Sequence, residues 1–218
     1  MQYLTIKDYT SELEAYRDCL GEMQKLHSRF KESVDQKQKN RKHALYLLAG
    51  TSISAGYAAF DQYSKGFIVG VHQLARFVLE IHSLAEYFLI IDDEAGGEIE
   101  QWFGGEFIET RYKKHTKSRL EKMIERKASI PFKTLPKDEL LKREKVIQDN
   151  FNVLSHFSHP TIYSTRQPKT CDFGQLILIP IIDILVDAQR MYFFPEDSVT
   201  GLMFSEFRLL FWSFRKHV

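Results

Sequence analysis

An all-α fold, a bundle of long helices with a charged helical insert between about 95 and 136, is what this 218-residue chain predicts. Three observations carry that expectation. Apolar residues recur at spacings of 3 and 4 over long stretches, the period of a helix and not of a strand. Six Pro and eleven Gly are few for the length and disfavour a loop-rich β protein. An apolar fraction of 44%, with 17 Phe, suffices for one continuous core, so a single domain over 1–218 is expected.

The elements follow in order. Between Thr5 and Asp35, Leu13, Tyr16, Leu20, Met23, Leu26 and Phe30 form one apolar stripe. Gln36 to Lys42 reads as a polar connector. His43 to Tyr63 is a helix whose small residues admit a close neighbour, although Gly50 and Gly56 each cost about 1 kcal/mol relative to Ala. Lys65 to Ile91 is so apolar that it reads as a central helix buried on nearly every side. Glu98 to Lys114 is helical but broken or bent around Gly104-Gly105, and Ser118 to Lys127 is a short charged helix with a capping box. Lys137 to His159 is a helix closed by Pro160. Phe173 to Phe194 is helical with a kink or restart at Pro180, whose ring clashes with the carbonyl of Leu176 in a regular helix. In the last helix, Glu196 to Lys216, the apolar side is Leu202, Phe207, Leu210, Phe211 and Phe214.

A net charge of +1 conceals an asymmetry. Asp92 to Glu109 holds seven acidic residues and no basic one, whereas Arg111 to Lys145 holds 13 Lys or Arg against 5 Asp or Glu. That basic block suits a polyanion such as RNA, or is a solvated surface balanced by its acidic neighbour. Cys19 and Cys171 have no metal-ligand spacing and read as reduced thiols. Met1 to Asp18 lacks the apolar core of a signal peptide, and Leu176 to Val186 is too short and interrupted to span a bilayer, so a cytoplasmic protein without membrane contact is expected. No P-loop, HExxH, DxDxDG or CxxC occurs, and no cofactor is implied.

Two polar constellations stand out. Arg76, Glu80, Ser83 and Tyr87 stack on one face of the central helix, Arg76 and Glu80 at i, i+4. Burying two ions costs several kcal/mol per ion unless each is paired, so the couple is either a structural pair or lines a cleft for a phosphate, a carboxylate or a catalytic water. The second constellation, Asn152, Ser155, His156 and His159, ends the helix before Pro160. Its histidines suit acid–base work near pH 7, contact with RNA, a metal with Glu80 as third ligand, or simply a solvated helix end.

A helix carrying Arg76-xxx-Glu80, followed by one ending Leu154-Ser-His-Phe-Ser-His159-Pro160, resembles bacterial bundles of the HEPN-like superfamily over roughly half the chain, 43 to 93 and 137 to 193. The resemblance implies a small cytoplasmic bundle that dimerises, and in several members a metal-independent RNase of toxin–antitoxin or phage-defence type. Its active members carry Arg-x(4–6)-His. Arg76 and His82 match that spacing; no arginine stands at that offset before His156 or His159. Arg76 and His82 lie about 120° apart on a helix, so a dimer partner would have to complete such a site.

The expected function is accordingly binding of RNA or a related phosphate ligand, with cleavage as the enzymatic extension. Arg76 would hold phosphate, Glu80 would orient it, and His156 or His159 would move a proton; Ser83, Tyr87, Asn152 and Ser155 would bind. The alternative is a non-enzymatic module that dimerises through the last helix and its aromatic residues Phe204, Phe207, Phe211, Trp212 and Phe214.

Overall fold

The computed structural model of the protein describes residues 11–90, 97–106, 142, 145, 149, 153–155, 171–194, 196 and 199–214. Among these residues the architecture is all-α, helices packed on helices with no strand. The expected helix Ser118 to Lys127 lies outside the described residues, as do residues 1–10. Lys142, Lys145, Asp149 and 153–155 are helical, within the predicted span 137–159.

Helix α1, Glu12–Lys31, starts at Ser11, whose hydroxyl accepts the Glu14 N–H. Glu12 and Glu14 in its first turn and Arg29 and Lys31 in its last complement the helix dipole. Tyr16, Leu20, Met23, Leu26 and Phe30 are buried as the periodicity predicts, while Leu13, in the first turn, is 41% exposed. Helix α2, Arg41–Ser64, is capped by Asn40, which accepts the His43 N–H at 2.9 Å. It ends where Phe67 N–H donates to the Gln62 carbonyl and Gly66 N–H to that of Tyr63, with Gly66 at φ +78°. This double bond pattern needs a left-handed residue, which only glycine adopts without strain. The break therefore falls at Gly66, and the central helix α3, Ile68–Ile90, begins at Ile68 and not at Lys65.

α2 runs unbroken through its two central glycines. A Cβ on Gly56 would lie 2.9 Å from both Leu20 Cδ2 and Ile181 Cδ1, and one on Gly50 would lie 2.9 Å from the His27 ring. Their helix-propensity cost is thus offset by close helix approach, the use the small residues predicted. His27 stacks on Tyr46 and bonds its carbonyl at 3.0 Å through Nε2. Burial lowers the pKa of His27, and likewise that of His72, so both rings serve as neutral packing groups at pH 7.

α4, Glu98–Phe103, stops at Gly104, and Gly105 at φ +88° turns the chain, so the helix breaks at the glycine pair as expected; residues 107–114 lie outside the described residues. α5 is a continuous helix in three parts: a π turn Gly174–Leu178, α-helix Ile179–Ala188, and a second π turn Gln189–Phe193. The first π turn is how the chain accommodates Pro180. Ile179 N–H reaches back five residues to the Gly174 carbonyl, and the α-helix restarts at Ile179 with Pro180 in its first turn, the restart the clash predicted. α6, Val199–Phe214, completes the described elements.

α3 packs most extensively on α2 and then on α5, with α1 closing the far side of α2. Val71, Ala75, Val78, Leu79, Ala85 and Phe88 of α3 meet Ile177, Ile181, Ile182 and Leu185 of α5 in one core, which Leu154 joins. α3 is less buried than its composition predicts, because Gln73 and Phe77, the latter 44% exposed, face outward. No helix among the described residues is long and apolar enough to cross a membrane.

Candidate functional site

The open side of α3 decides what the Arg76 constellation can do. Arg76 Nε stands 3.4 Å from Glu80 Oε1, so the i, i+4 bridge predicted from spacing is formed. Its setting differs from the buried couple expected: the Arg76 side chain is 20% exposed and that of Glu80 43%. Four residues carry α3 through about 400°, so both return to the edge that also bears Gln73 and Phe77. The pair therefore incurs little desolvation, and its stabilisation is that of a surface bridge, at most about 1 kcal/mol.

Ser83 and Tyr87 do not join it. Ser83 is fully buried and donates its hydroxyl to the Leu79 carbonyl at 2.8 Å, within its own helix. Tyr87, half-buried, donates to the Glu98 carboxylate and ties α3 to α4. The stripe of four is thus one surface pair followed by two internally committed hydroxyls. Ser155 is a partly exposed helical residue, and Asn152, His156 and His159 lie outside the described residues. Among the described residues no three His, Cys, Asp or Glu side chains form a group that could hold a metal.

The costly buried charge sits elsewhere. His82 of α3 is 1% exposed, with Nδ1 3.7 Å from Glu86 Oε2 and Nε2 3.8 Å from Asp183 Oδ2 on α5. Arg208 of α6 reaches Asp183 through Nη2. Glu86 and Asp183 are themselves 7% and 9% exposed. One ionic cluster thus joins three helices, with side chains that each meet an opposite or titratable neighbour, as burial of carboxylates requires. The sequence shows half of it: Asp183 interrupts Ile181-Ile182-x-Ile184-Leu185-Val186, a charge no buried apolar helix carries idly. His82 and Glu86 stand one i, i+4 step apart on the apolar central helix. Arg208, 25 residues from Asp183, has no local signal at all.

Comparison with known proteins leaves the geometry to speak alone: no family model, no curated protein and no solved structure matches this chain.

The two charge clusters differ in burial, and that difference is measurable. Asp183→Ala is expected to lower the unfolding free energy by about 3–5 kcal/mol, since it removes the buried carboxylate that Arg208 and His82 share. Glu80→Ala is expected to cost under about 1 kcal/mol. Urea unfolding of both variants checks this, and equal losses would contradict the assignment.

Proposed function

We propose that the chain is a HEPN-like helical protein that binds RNA through its phosphates, with Arg76 as a phosphate contact and Glu80 as the group that orients it. The observation carrying this reading is the partly exposed position of the Arg76–Glu80 pair. A surface carboxylate competes weakly for a guanidinium, so a phosphate, which accepts charge-assisted bonds from it, can enter at low cost. Exposed Lys142 and Lys145 extend the basic character of the segment from Arg111.

Cleavage does not follow from Arg76 and His82. The ring of His82 is sealed between Glu86 and Asp183, where no scissile phosphate reaches it. The metal-independent RNase step implied by the resemblance falls instead to His156 or His159. Fluorescence anisotropy with a labelled single-stranded RNA at 50 mM salt tests the binding reading. Arg76→Ala is expected to weaken binding about tenfold, which corresponds to about 1.4 kcal/mol. No retention of RNA by the wild-type protein at that salt would overturn the proposal.

A second reading, homodimerisation through α6, is favoured by one observation. The aromatic face first suggested for it is committed to the core: Phe204, Phe207 and Phe211 are 1%, 9% and 5% exposed, and the side chains of Trp212 and Phe214 lie outside the described residues. Leu202 lies five residues before Phe207, about 140° round the helix, and so points out instead of joining it. Val199, Leu202 and Leu209 stand 54%, 66% and 70% exposed at offsets of 3 and 7, a seam of coiled-coil type. Sedimentation of the wild type as a dimer and of Leu202→Asp/Leu209→Asp as a monomer is expected. A monomeric wild type would remove this reading.

A further inference from the structure

α3 packs on both α2 and α5, yet its open edge carries an aromatic ring. Phe77 is 44% exposed and, among the described residues, meets no other ring. Other phenylalanines of the helices are placed differently. Phe30 stacks on Phe193 at 4.0 Å, Phe88 meets Trp102 edge-on at 5.7 Å, and Phe207 meets Phe211 at 6.1 Å. Leu74 and Leu84, before and after Phe77 along α3, both pack against the core. Phe77, between them, keeps nearly half its surface in water.

The surroundings of the ring narrow what can cover it. Arg76 precedes it, and Glu80 and the exposed Gln73 lie one turn to either side. Gly70 is two turns earlier on the same line of α3, and a Cβ there would meet the Gln62 side chain, so this line runs beside α2. The two helices run antiparallel from the turn at Gly66, with Phe77 and Ala55 equally far from it. The exposed residues of α2 at that level, Ser54 and Ala58, are small and leave the ring face uncovered. Ser54 already gives its hydroxyl proton to the Gly50 carbonyl at 3.0 Å, so an apolar face brought there strips no donor of water. A partner helix needs an extended apolar stripe, whereas here one ring stands among a guanidinium, a carboxylate and an amide. A nucleotide fits that set: its base is planar, and its phosphate accepts from a guanidinium. Arg76 has several donors, so a phosphate can share it with Glu80 and its other contacts.

We propose that Phe77 is a stacking platform for a nucleobase of single-stranded RNA whose phosphate lies on Arg76. The inference rests on the RNA reading above and adds the form of the ligand. A base inside a duplex has both faces covered by its neighbours, so only an unpaired base lies on the ring. Stacking uses the π face and not the base edge, so the platform accepts any base.

The test uses the full chain and labelled single-stranded RNA at 50 mM salt, beside an abasic strand of equal length and charge. Phe77→Ala is expected to weaken binding to the intact strand about 5- to 150-fold, the effect of one stacked base, and Phe77→Tyr to retain it. Neither variant is expected to alter the slope of log K against log salt, since no phosphate contact is lost. Wild-type protein is expected to bind the abasic strand more weakly than the intact one, and as weakly as Phe77→Ala does. Equal wild-type affinity for the two strands would overturn the platform and leave the RNA reading standing. So would a Phe77→Ala variant that melts as the wild type and binds the intact strand unchanged while Arg76→Ala weakens binding. A wild-type dimer that Phe77→Ala dissociates in sedimentation would assign the ring to a second copy and overturn the platform too. Wild-type protein that binds no RNA at this salt would overturn both readings.

Discussion

A buried charge can persist only where several elements agree to surround it, and this fold is organised about such a place. His82 lies between Glu86 and Asp183, and Asp183 in turn holds Arg208. These side chains come from α3, α5 and α6, so the relative positions of three helices are tied to one set of contacts. Apolar packing alone is tolerant of small slides between helices; a carboxylate that must meet a guanidinium is not. Gly50 and Gly56 let α2 seat closely against α1 and α5, the helices that flank it in this core.

The open face of α3 has functional consequences. With His82 on the inner side of α3, Arg76 and Glu80 fall on the outer edge, 3.4 Å apart and partly in water. In the proposed reading, structure and phosphate contact are divided between two sides of one helix. The inner cluster carries the energetic burden of buried charge, and the outer pair is cheap to open.

Much of the helical architecture was legible because it rests on local periodicity. The stripe from Tyr16 to Phe30 is buried as read, and the small residues of α2 admit close neighbours. The misreadings share a cause. Lys65 to Ile91 was read as one helix because apolar content hides a break that two hydrogen bonds about Gly66 enforce. Leu202 was placed with Phe207 on composition, although rotation sets them far apart. The Arg76–Glu80 bridge could be read from spacing, but its exposure depends on where α2 and α5 sit, which no local pattern encodes. The link from Asp183 to Arg208 is likewise tertiary, and His156 and His159, for which the sequence suggests acid–base work, fall outside the described residues.

The most direct check on the central role of the buried cluster is a thermodynamic cycle on Asp183 and Arg208, with Asp183→Ala, Arg208→Ala and the double variant compared by equilibrium unfolding. If the two side chains act as one unit, removing Arg208 costs much less once Asp183 is gone, giving a coupling of about 1–3 kcal/mol. Strict additivity of the two losses would mean that the contact carries no load, and the helices would then owe their arrangement to apolar packing alone.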